Sequence, residues 1–249
     1  MSLKPEVRSP NAGRRRSFSL DILALLPLAP WLLLGSLGGA VGAEASHNFA
    51  RWEREIAAFE QSDHTNAPPK GGLLFIGSSS IRLWSTLARD FPGQPVINRG
   101  FGGSQIVDAT HFADRIIFPY RPRAIYLRAG SNDIIAGKPP QQVFAEFKEF
   151  EAKVHAELPE AVLFYISLNP SPSRWGQADK EKALNEMIEQ FARTAPRVKY
   201  IDAWSVSLGP DGKPRPELFR ADRLHFNAAG YKLLAERVRP WVGKQGAGQ

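Results

Sequence analysis

A serine triplet and an aspartate–histidine pair are the side chains in this sequence that could together carry out nucleophilic chemistry. The segment "FIGSSSIR" places Ser78, Ser79 and Ser80 directly after a short apolar run. The segment "ADRLHFN" places Asp222 three residues before His225. A serine hydroxyl is a weak nucleophile at neutral pH, and it needs a base, a group that orients the base and donors for the developing oxyanion. Imidazole and carboxylate meet the first two needs if the fold brings the segments together.

The serine triplet also has a purely structural interpretation, because serine is one of the residues preferred at a helix N-cap. A cap uses a single hydroxyl and does not involve the aspartate or the histidine. The sequence contains no cysteine, which excludes a thiol nucleophile, a disulfide and any cysteine-ligated metal. The other histidines show no spacing typical of metal ligands, so no metal site is expected. They are His47, His64, His111 and His155.

Apolar strand-like runs alternate with helical patterns through most of the chain. The strand-like runs are residues 72–77, 95–100, 124–130, 162–168 and 198–204. The helical patterns are residues 80–90, 104–117, 140–157, 178–194 and 228–239. Continuous apolar strands separated by helices indicate a parallel sheet that is covered on both faces. The sequence therefore predicts an α/β fold, a three-layer α/β/α sandwich with a five-stranded parallel sheet of flavodoxin-like strand order.

Polar or glycine-rich motifs follow four of these strand-like runs. They read "GSSS", "NRGFGGS", "RAGSND" and, leading into the last helix, "ADRLHFN". In doubly wound sheets, ligands bind beyond the carboxyl ends of the strands. We therefore expect the serine triplet and the aspartate–histidine pair to meet at one edge of the sheet.

The same four stretches, in the same order, resemble sequence blocks one, two, three and five of the SGNH hydrolases, which are also called GDSL esterases. The resemblance covers roughly residues 72–240, nearly all of the chain after its first segment. It implies the SGNH hydrolase fold and a serine hydrolase that acts on ester bonds. It also implies a small-molecule ester substrate and no metal or organic cofactor.

The resemblance assigns a role to each matching catalytic residue. The middle serine, Ser79, matches the nucleophile, His225 matches the general base, and Asp222 matches the residue that orients the base. The oxyanion hole would be formed by the backbone N–H groups of Ser79 and Gly103 and by the side-chain amide of Asn132. These assignments imply an acyl-enzyme mechanism.

One position departs from the family pattern. Ser78 stands where the first block of the family has an aspartate, which in this resemblance supports the site and is not a triad member. The departure puts the fine positioning of the nucleophile in doubt more than the chemistry. Two further residues lie near the strand ends. Arg128 would either touch substrate or form a structural ion pair, and Trp175 is a candidate for a wall of the substrate site.

Residues 1–45 have the order of a secretory signal peptide, which is basic, then apolar, then small. Three alternatives remain open. Arg15 and Arg16 resemble a twin-arginine export motif, a general secretory signal has the same overall order, and residues 22–41 are long enough for an uncleaved membrane anchor. All three place residues 46–249, the hydrolase domain, outside the cytoplasm, as a periplasmic or secreted protein.

The substrate is predicted only in outline. The family includes acetylesterases on carbohydrates, lysophospholipases, thioesterases and acetylhydrolases of platelet-activating-factor type. A compact chain without a long insertion between the blocks favours short, acetyl-type esters of a carbohydrate or lipid-like alcohol. The alternative is a non-catalytic carbohydrate- or lipid-binding module that retains the fold. The formal net charge is +7, but the positive residues are scattered, so no nucleic-acid partner is expected.

Overall fold

The computed structural model describes residues 47–243. The predicted signal segment, residues 1–45, lies outside the described residues. Among the helices of the described part of the chain, none is long and apolar enough to cross a bilayer.

The centre of the molecule is a five-stranded parallel sheet. Its strands are Leu73–Gly77 (β1), Val96–Gly100 (β2), Ala124–Arg128 (β3), Val162–Ile166 (β4) and Val198–Ile201 (β5). They lie in the order β2-β1-β3-β4-β5, and every neighbouring pair is parallel. This is the flavodoxin-like order, so the predicted fold class is confirmed.

Helices cover both faces of the sheet. The α-helices of the described residues are Glu53–Thr65 (α1), Ser79–Arg82 (α2), Leu87–Asp90 (α3), Ile106–Ile116 (α4), Ser131–Ile135 (α5), Pro140–Glu157 (α6), Ala178–Thr194 (α7) and Ala228–Val238 (α8). The short 3₁₀ segments are Phe49–Trp52, Phe118–Tyr120, Pro172–Gln177, Trp204–Ser207, Pro216–Leu218 and Arg239–Trp241. Asn227 caps the N-terminus of α8, since its Oδ1 accepts bonds from the backbone N–H groups of Ala229 and Gly230 at 2.9 and 3.2 Å.

Alternate strand residues divide the core into two layers. One face of the sheet packs against α1, α4, α6 and α7, and the other packs against α2, α3 and α8. On the second face the rings of Phe75, Tyr126 and Phe164 stack across three strands, with centroid distances of 4.4 and 4.7 Å. Burying each such side chain contributes about 1.5–3 kcal/mol, so this layer fixes the relative level of β1, β3 and β4.

The predicted helix at 80–90 is wrong as a single element, because the chain forms two short helices there. Between them, the indole of Trp84 and the hydroxyl of Thr86 both donate to Asp90 Oδ2 at 2.7 Å. Trp84 is buried under the sheet, and its side chain needs a polar partner for its N–H. The bend that supplies this partner interrupts the helix directly after the serine triplet.

The carboxyl ends of the central strands are level with each other. Gly77, the last residue of β1, lies opposite Gly100 of β2 and Arg128 of β3. A Cβ atom at Gly77 would lie 2.0 Å from the carbonyl oxygen of Arg128, and its φ of +147° is one that L side chains rarely adopt. Glycine is therefore required at this point, where the chain leaves the sheet and places Ser79 at its edge.

Candidate active site

The structure brings three distant side chains into one hydrogen-bonded chain at the carboxyl edge of the sheet. The Nε2 atom of His225 lies 2.8 Å from the Oγ of Ser79, and its Nδ1 lies 2.7 Å from the Oδ2 of Asp222. Because an ionised carboxylate only accepts hydrogen bonds, Nδ1 carries the proton. Nε2 is then free to accept the hydroxyl proton of Ser79, which is the arrangement that general-base activation of a serine requires.

The segment 222–225, which we call the catalytic turn, is held by its own backbone. The N–H groups of Leu224 and His225 donate to Asp222 Oδ1 at 2.9 and 3.0 Å. Arg223 adopts a left-handed conformation with φ of 57°, which a non-glycine residue adopts at a small cost. The hydrogen bond with the His225 side chain, followed by that with its backbone N–H, lowers the pKa of Asp222 to about 2. The carboxylate is therefore charged throughout the neutral range.

The serine triplet is not a side-chain cap of the usual kind. Ser78 occupies the N-cap position of α2, but its side chain makes no capping hydrogen bond. Its backbone N–H donates to the carbonyl oxygen of Arg128 at 3.3 Å, and the carbonyl oxygen of Ser80 accepts from Tyr231 at 2.9 Å. Ser79 is the first residue of α2 and the member of the triplet that reaches His225. These contacts hold the backbone on both sides of Ser79.

The side-chain amide of Asn132 has a fixed orientation. Its Nδ2 donates to the carbonyl oxygen of Ser104 at 2.9 Å, and its Oδ1 accepts from Nη1 of Arg174 at 3.0 Å. Each end of the amide therefore faces a partner that fits only that end. A primary amide has two N–H bonds, and a second N–H remains for a ligand in the cavity that Asn132 lines.

A buried polar network supports this amide. Arg174 also donates to Ser131 Oγ at 2.9 Å, and Ser131 in turn donates to Glu181. Gln177 donates to the same oxygen of Glu181 at 2.8 Å. Burial raises the pKa of Glu181, and burial likewise raises the pKa of the neighbouring Asp133 to about 7. Asp133 Oδ1 accepts from the backbone N–H of Ile106 at 3.1 Å, which ties α5 to the start of α4.

The second predicted oxyanion element is the loop between β2 and α4. Gly103 has a φ of +79°, and a Cβ atom there would lie 3.2 Å from the ring of Trp52. The loop is tied to the end of β1, two residues before Ser79, by a 3.0 Å bond from the Phe101 N–H to the Gly77 carbonyl oxygen. Gly103 is not among the described residues that line the cavity beside Ser79. Its role as a donor stays a prediction.

The residues around Ser79 enclose a cavity of about 70 Å³. Its lining includes Ser79, His225 and Asn132, together with Arg128 and Arg174. A wider cleft of about 520 Å³ lies elsewhere, beside β5 and α7, and its lining contains none of the predicted site residues. We place the chemistry in the smaller cavity because only there do a nucleophile, a base and an amide donor face one space.

Sequence reasoning singled out Ser79, Asn132 and the Asp222–His225 pair but missed Arg174. Arg174 lies in the 3₁₀ segment after β4, next to Trp175, the residue expected as a wall of the substrate site. The side chain of Trp175 is 43% exposed and does not line the cavity among the described residues. No sequence signal separates the two, because an arginine in a polar loop is ordinarily a surface residue.

Within residues 47–243, no group of three or more His, Asp or Glu side chains is arranged to hold a metal ion.

Comparisons with known proteins agree with this architecture. A family model described as the GDSL-like Lipase/Acylhydrolase family matches residues 77–233, which is more than half of the chain. No curated protein matches the sequence.

Solved structures share the fold at low identity. A protein from Streptococcus pneumonia, provisionally described as a platelet activating factor, is 19% identical with a TM-score of 0.69, covering 78% of this chain and 94% of its own. A GDSL-like lipase from Bacteroides thetaiotaomicron is 19% identical with a TM-score of 0.63, covering 78% and 96%. A catalytic mutant of an acetylxylan esterase from Geobacillus stearothermophilus is 13% identical with a TM-score of 0.56, covering 73% and 99%.

The structural similarity establishes the fold, and the family model establishes the relationship. The resemblance of the four sequence blocks to the SGNH hydrolases is thereby confirmed. The chain belongs to the GDSL-like Lipase/Acylhydrolase family, and this membership supports an enzyme that hydrolyses ester bonds.

Proposed function

We propose that the protein is an exported serine esterase that works through an acyl-enzyme at Ser79. The observation that carries this proposal is the unbroken hydrogen-bonded chain from Ser79 Oγ to His225 to Asp222, with distances of 2.8 and 2.7 Å. A binding module that had lost catalysis would have no need to keep this chain together with an oriented amide donor. The geometry therefore favours the enzyme over the non-catalytic alternative.

The proposed reaction proceeds in two halves. His225 Nε2 takes the proton of Ser79 as Oγ attacks the ester carbonyl, and Asp222 stabilises the imidazolium that forms. The oxyanion is bound by the N–H of Ser79, by that of Gly103 and by the Asn132 amide. The imidazolium then protonates the leaving alcohol. A water molecule, deprotonated by the same histidine, then attacks the acyl-enzyme. The bond to Ser79 Oγ breaks as the imidazolium returns its proton to that oxygen, which releases the acid and the free enzyme.

The size of the cavity supports a short acyl group. Sites for drug-sized ligands occupy roughly 300–1,000 Å³, whereas this cavity measures about 70 Å³. A space of that size accommodates an acetyl-type group more readily than a long alkyl chain. We therefore propose short-acyl esters of a carbohydrate or lipid-like alcohol as substrates.

Export is proposed from the sequence alone. The order of basic, apolar and small residues in 1–45 supports it, and the three alternatives for this segment lead to the same compartment. Replacing Arg15 and Arg16 together with lysine should block export through the twin-arginine route. Cell fractionation of the variant measures this, and unchanged export would leave the general secretory route.

The experiment that tests the catalytic proposal combines labelling with a substrate series. The full chain is treated with a fluorophosphonate, and the adduct is mapped by mass spectrometry, with Ser80→Ala as the matched control for Ser79→Ala. We expect an adduct on Ser79 in the wild type and in Ser80→Ala, and none in Ser79→Ala. Hydrolysis of p-nitrophenyl esters from acetate to palmitate should fall steeply with chain length. An adduct on Ser78 or Ser80 would contradict the assignment.

A further inference from the structure

A buried arginine without a carboxylate partner lines the catalytic cavity. Arg128 is 5% exposed, and its Nη2 donates to the side-chain oxygen of Asn169. Its Nη1 is buried and has no hydrogen-bond partner among the described residues. Among the salt bridges of the described residues, none involves Arg128. The structural ion pair considered in the sequence analysis is therefore not formed.

Burying a guanidinium that has no ion-pair partner destabilises the folded protein. Burial lowers the pKa of Arg128, yet an arginine side chain does not lose its proton in proteins. A charge removed from water without a counter-charge is destabilising, and buried charges are ordinarily paired. An arginine that remains unpaired at this point is therefore more consistent with a partner that arrives with the substrate.

The position of Arg128 puts such a partner next to the reacting bond. Its backbone carbonyl accepts the Ser78 N–H, one residue before the nucleophile. Its guanidinium carbon lies 6.0 Å from the ring centre of Phe226, the residue after the catalytic base. Arg128 therefore lies beside both the segment that carries Ser79 and the segment that carries His225, and all three residues line the same cavity.

The charges around the cavity favour an anion. Its described lining contains two arginines and no carboxylate side chain. Arg174 already donates to Ser131 and Asn132. The titratable groups that face Arg128 from packed elements are the carboxyl group of Glu181 and the neutral hydroxyls of Tyr165 and Tyr231. Glu181 is not among the described residues that line the cavity, and its Oε1 accepts from Ser131 and Gln177. Neither its Oε2 nor Nη1 of Arg128 has a hydrogen-bond partner among the described residues, so the two groups are not bonded to each other.

We propose that Arg128 forms an anion-binding subsite and that the substrate is an ester carrying a carboxylate-sized anion a few bonds from the scissile carbonyl. This inference rests on the proposed esterase function and narrows its substrate class. The cavity of about 70 Å³ limits the group bound there to a small one. The anion could belong to the acyl half or to the alcohol half of the ester, and the test separates these two sources.

Two matched ester pairs form the test. For the alcohol side, 3-acetoxyphenylacetate is compared with its methyl ester, in which the carboxylate is masked and the leaving phenol is nearly unchanged. For the acyl side, monophenyl adipate is compared with phenyl methyl adipate. We expect kcat/KM for one of the two anionic esters to exceed that of its neutral partner by about 10- to 100-fold.

The preference should depend on Arg128. In Arg128→Met the anionic-to-neutral ratio of kcat/KM should fall to about 1, and Arg128→Lys should retain part of it. Arg115→Met, a change remote from the cavity, should keep the wild-type ratio. Thermal melting of each variant checks folding, and only ratios within one variant are compared. An equal loss on both members of a pair would overturn the subsite, because Arg128 would then act on the common transition state or on folding.

A binding measurement keeps the inference separate from the proposed function. Isothermal titration of the full-length Ser79→Ala protein with the four esters requires no turnover. Binding of an anionic ester at least 10-fold tighter than its neutral partner, lost in Ser79→Ala/Arg128→Met, supports the subsite even if the wild type hydrolyses none of them. Turnover of neutral esters without any anionic preference in rate or binding would overturn the subsite and leave the esterase proposal intact.

Discussion

The catalytic turn and the residues that support the Asn132 amide both fix the position of a functional side chain. They do so in opposite ways. The turn, residues 222–225, is largely exposed, with 47% of the Asp222 side chain open to solvent. The support, which we call the amide cluster, consists of Ser131, Asn132, Asp133, Arg174 and Glu181. Glu181 and Asp133 in this cluster are 1% and 0% exposed.

The separation along the sequence between contacting residues differs as well. Inside the catalytic turn, every bond to Asp222 comes from a residue at most three positions away. In the amide cluster, Arg174 reaches Asn132 across 42 positions and Ser131 reaches Glu181 across 50. Changes in the turn should therefore remove chemistry while leaving the fold intact. Changes in the cluster should disturb both the position of a donor and the stability of the core.

The largest effect is expected for His225, the proposed general base, which lies in the catalytic turn. His225→Ala should lower kcat by roughly 10⁶, about as much as Ser79→Ala, because the two residues act as one unit. The double variant should be no worse than either single one. Steady-state kinetics with p-nitrophenyl acetate measures this, and circular dichroism should show the native fold in all three. Losses that multiply in the double variant would mean that the two residues act independently, and the triad assignment would have to be given up.

A smaller loss is expected for the residue that orients the base. Asp222→Asn keeps the shape but removes the charge and allows the wrong imidazole tautomer, so kcat should fall by up to about 10⁴. The melting temperature should change little, because the carboxylate is half exposed. Asp211→Asn, in an exposed loop, is the control and should retain wild-type activity. A melting temperature that fell sharply with Asp222→Asn would contradict the view that the turn contributes chemistry without stability.

On the amide side, the effects are expected to be smaller in rate and coupled to each other. Asn132→Ala should reduce kcat by roughly 10²–10³ with little change in KM, as expected for the loss of one oxyanion donor.

Arg174→Met should reduce kcat by about 10-fold, because the Asn132 amide could then rotate. In the Asn132→Ala background, Arg174→Met should cause no further loss, since it acts through that amide. Lys180→Met, exposed on α7, serves as the control. An additive loss would mean that Arg174 contacts substrate directly.

The difference between the two regions also explains what could be predicted from the sequence. Asp222 and His225 lie three residues apart just before a helix, so the sequence alone indicates that the two side chains can meet. The sheet order followed from five apolar runs with helices between them. Arg174 and Glu181 gave no signal, because their partners lie 42 and 50 positions away and depend on how α7 packs on α5. The unpaired state of Arg128 could not be predicted either, since it depends on every neighbour in the folded chain.

The last expected effect concerns stability, not rate, and it depends on pH through Asp133 in the amide cluster. Burial raises its pKa from 3.8 to about 7, so between those values the folded protein holds a proton that the unfolded chain releases. The native state then binds more protons than the unfolded state, and the free energy of unfolding falls as pH rises across that window. The slope is at most about 1.4 kcal/mol per pH unit, and it vanishes below about 4 and above about 7.

Asp133→Asn isolates this contribution, because the amide resembles the protonated acid and cannot ionise. Its Oδ1 can still accept from the Ile106 N–H, which the structure places 3.1 Å from the carboxyl oxygen. Urea unfolding at pH 4.5, 6 and 8 should therefore show the variant gaining stability relative to the wild type as pH rises. Asp211→Asn, an exposed carboxylate, should show no such trend. If the variant instead lost stability relative to the wild type as pH rises, Asp133 would be stabilised as a carboxylate. Its counter-charge would be Lys138, whose Nζ lies 3.8 Å from Asp133 Oδ1. The amide cluster would then contain a salt bridge where we expect a neutral acid.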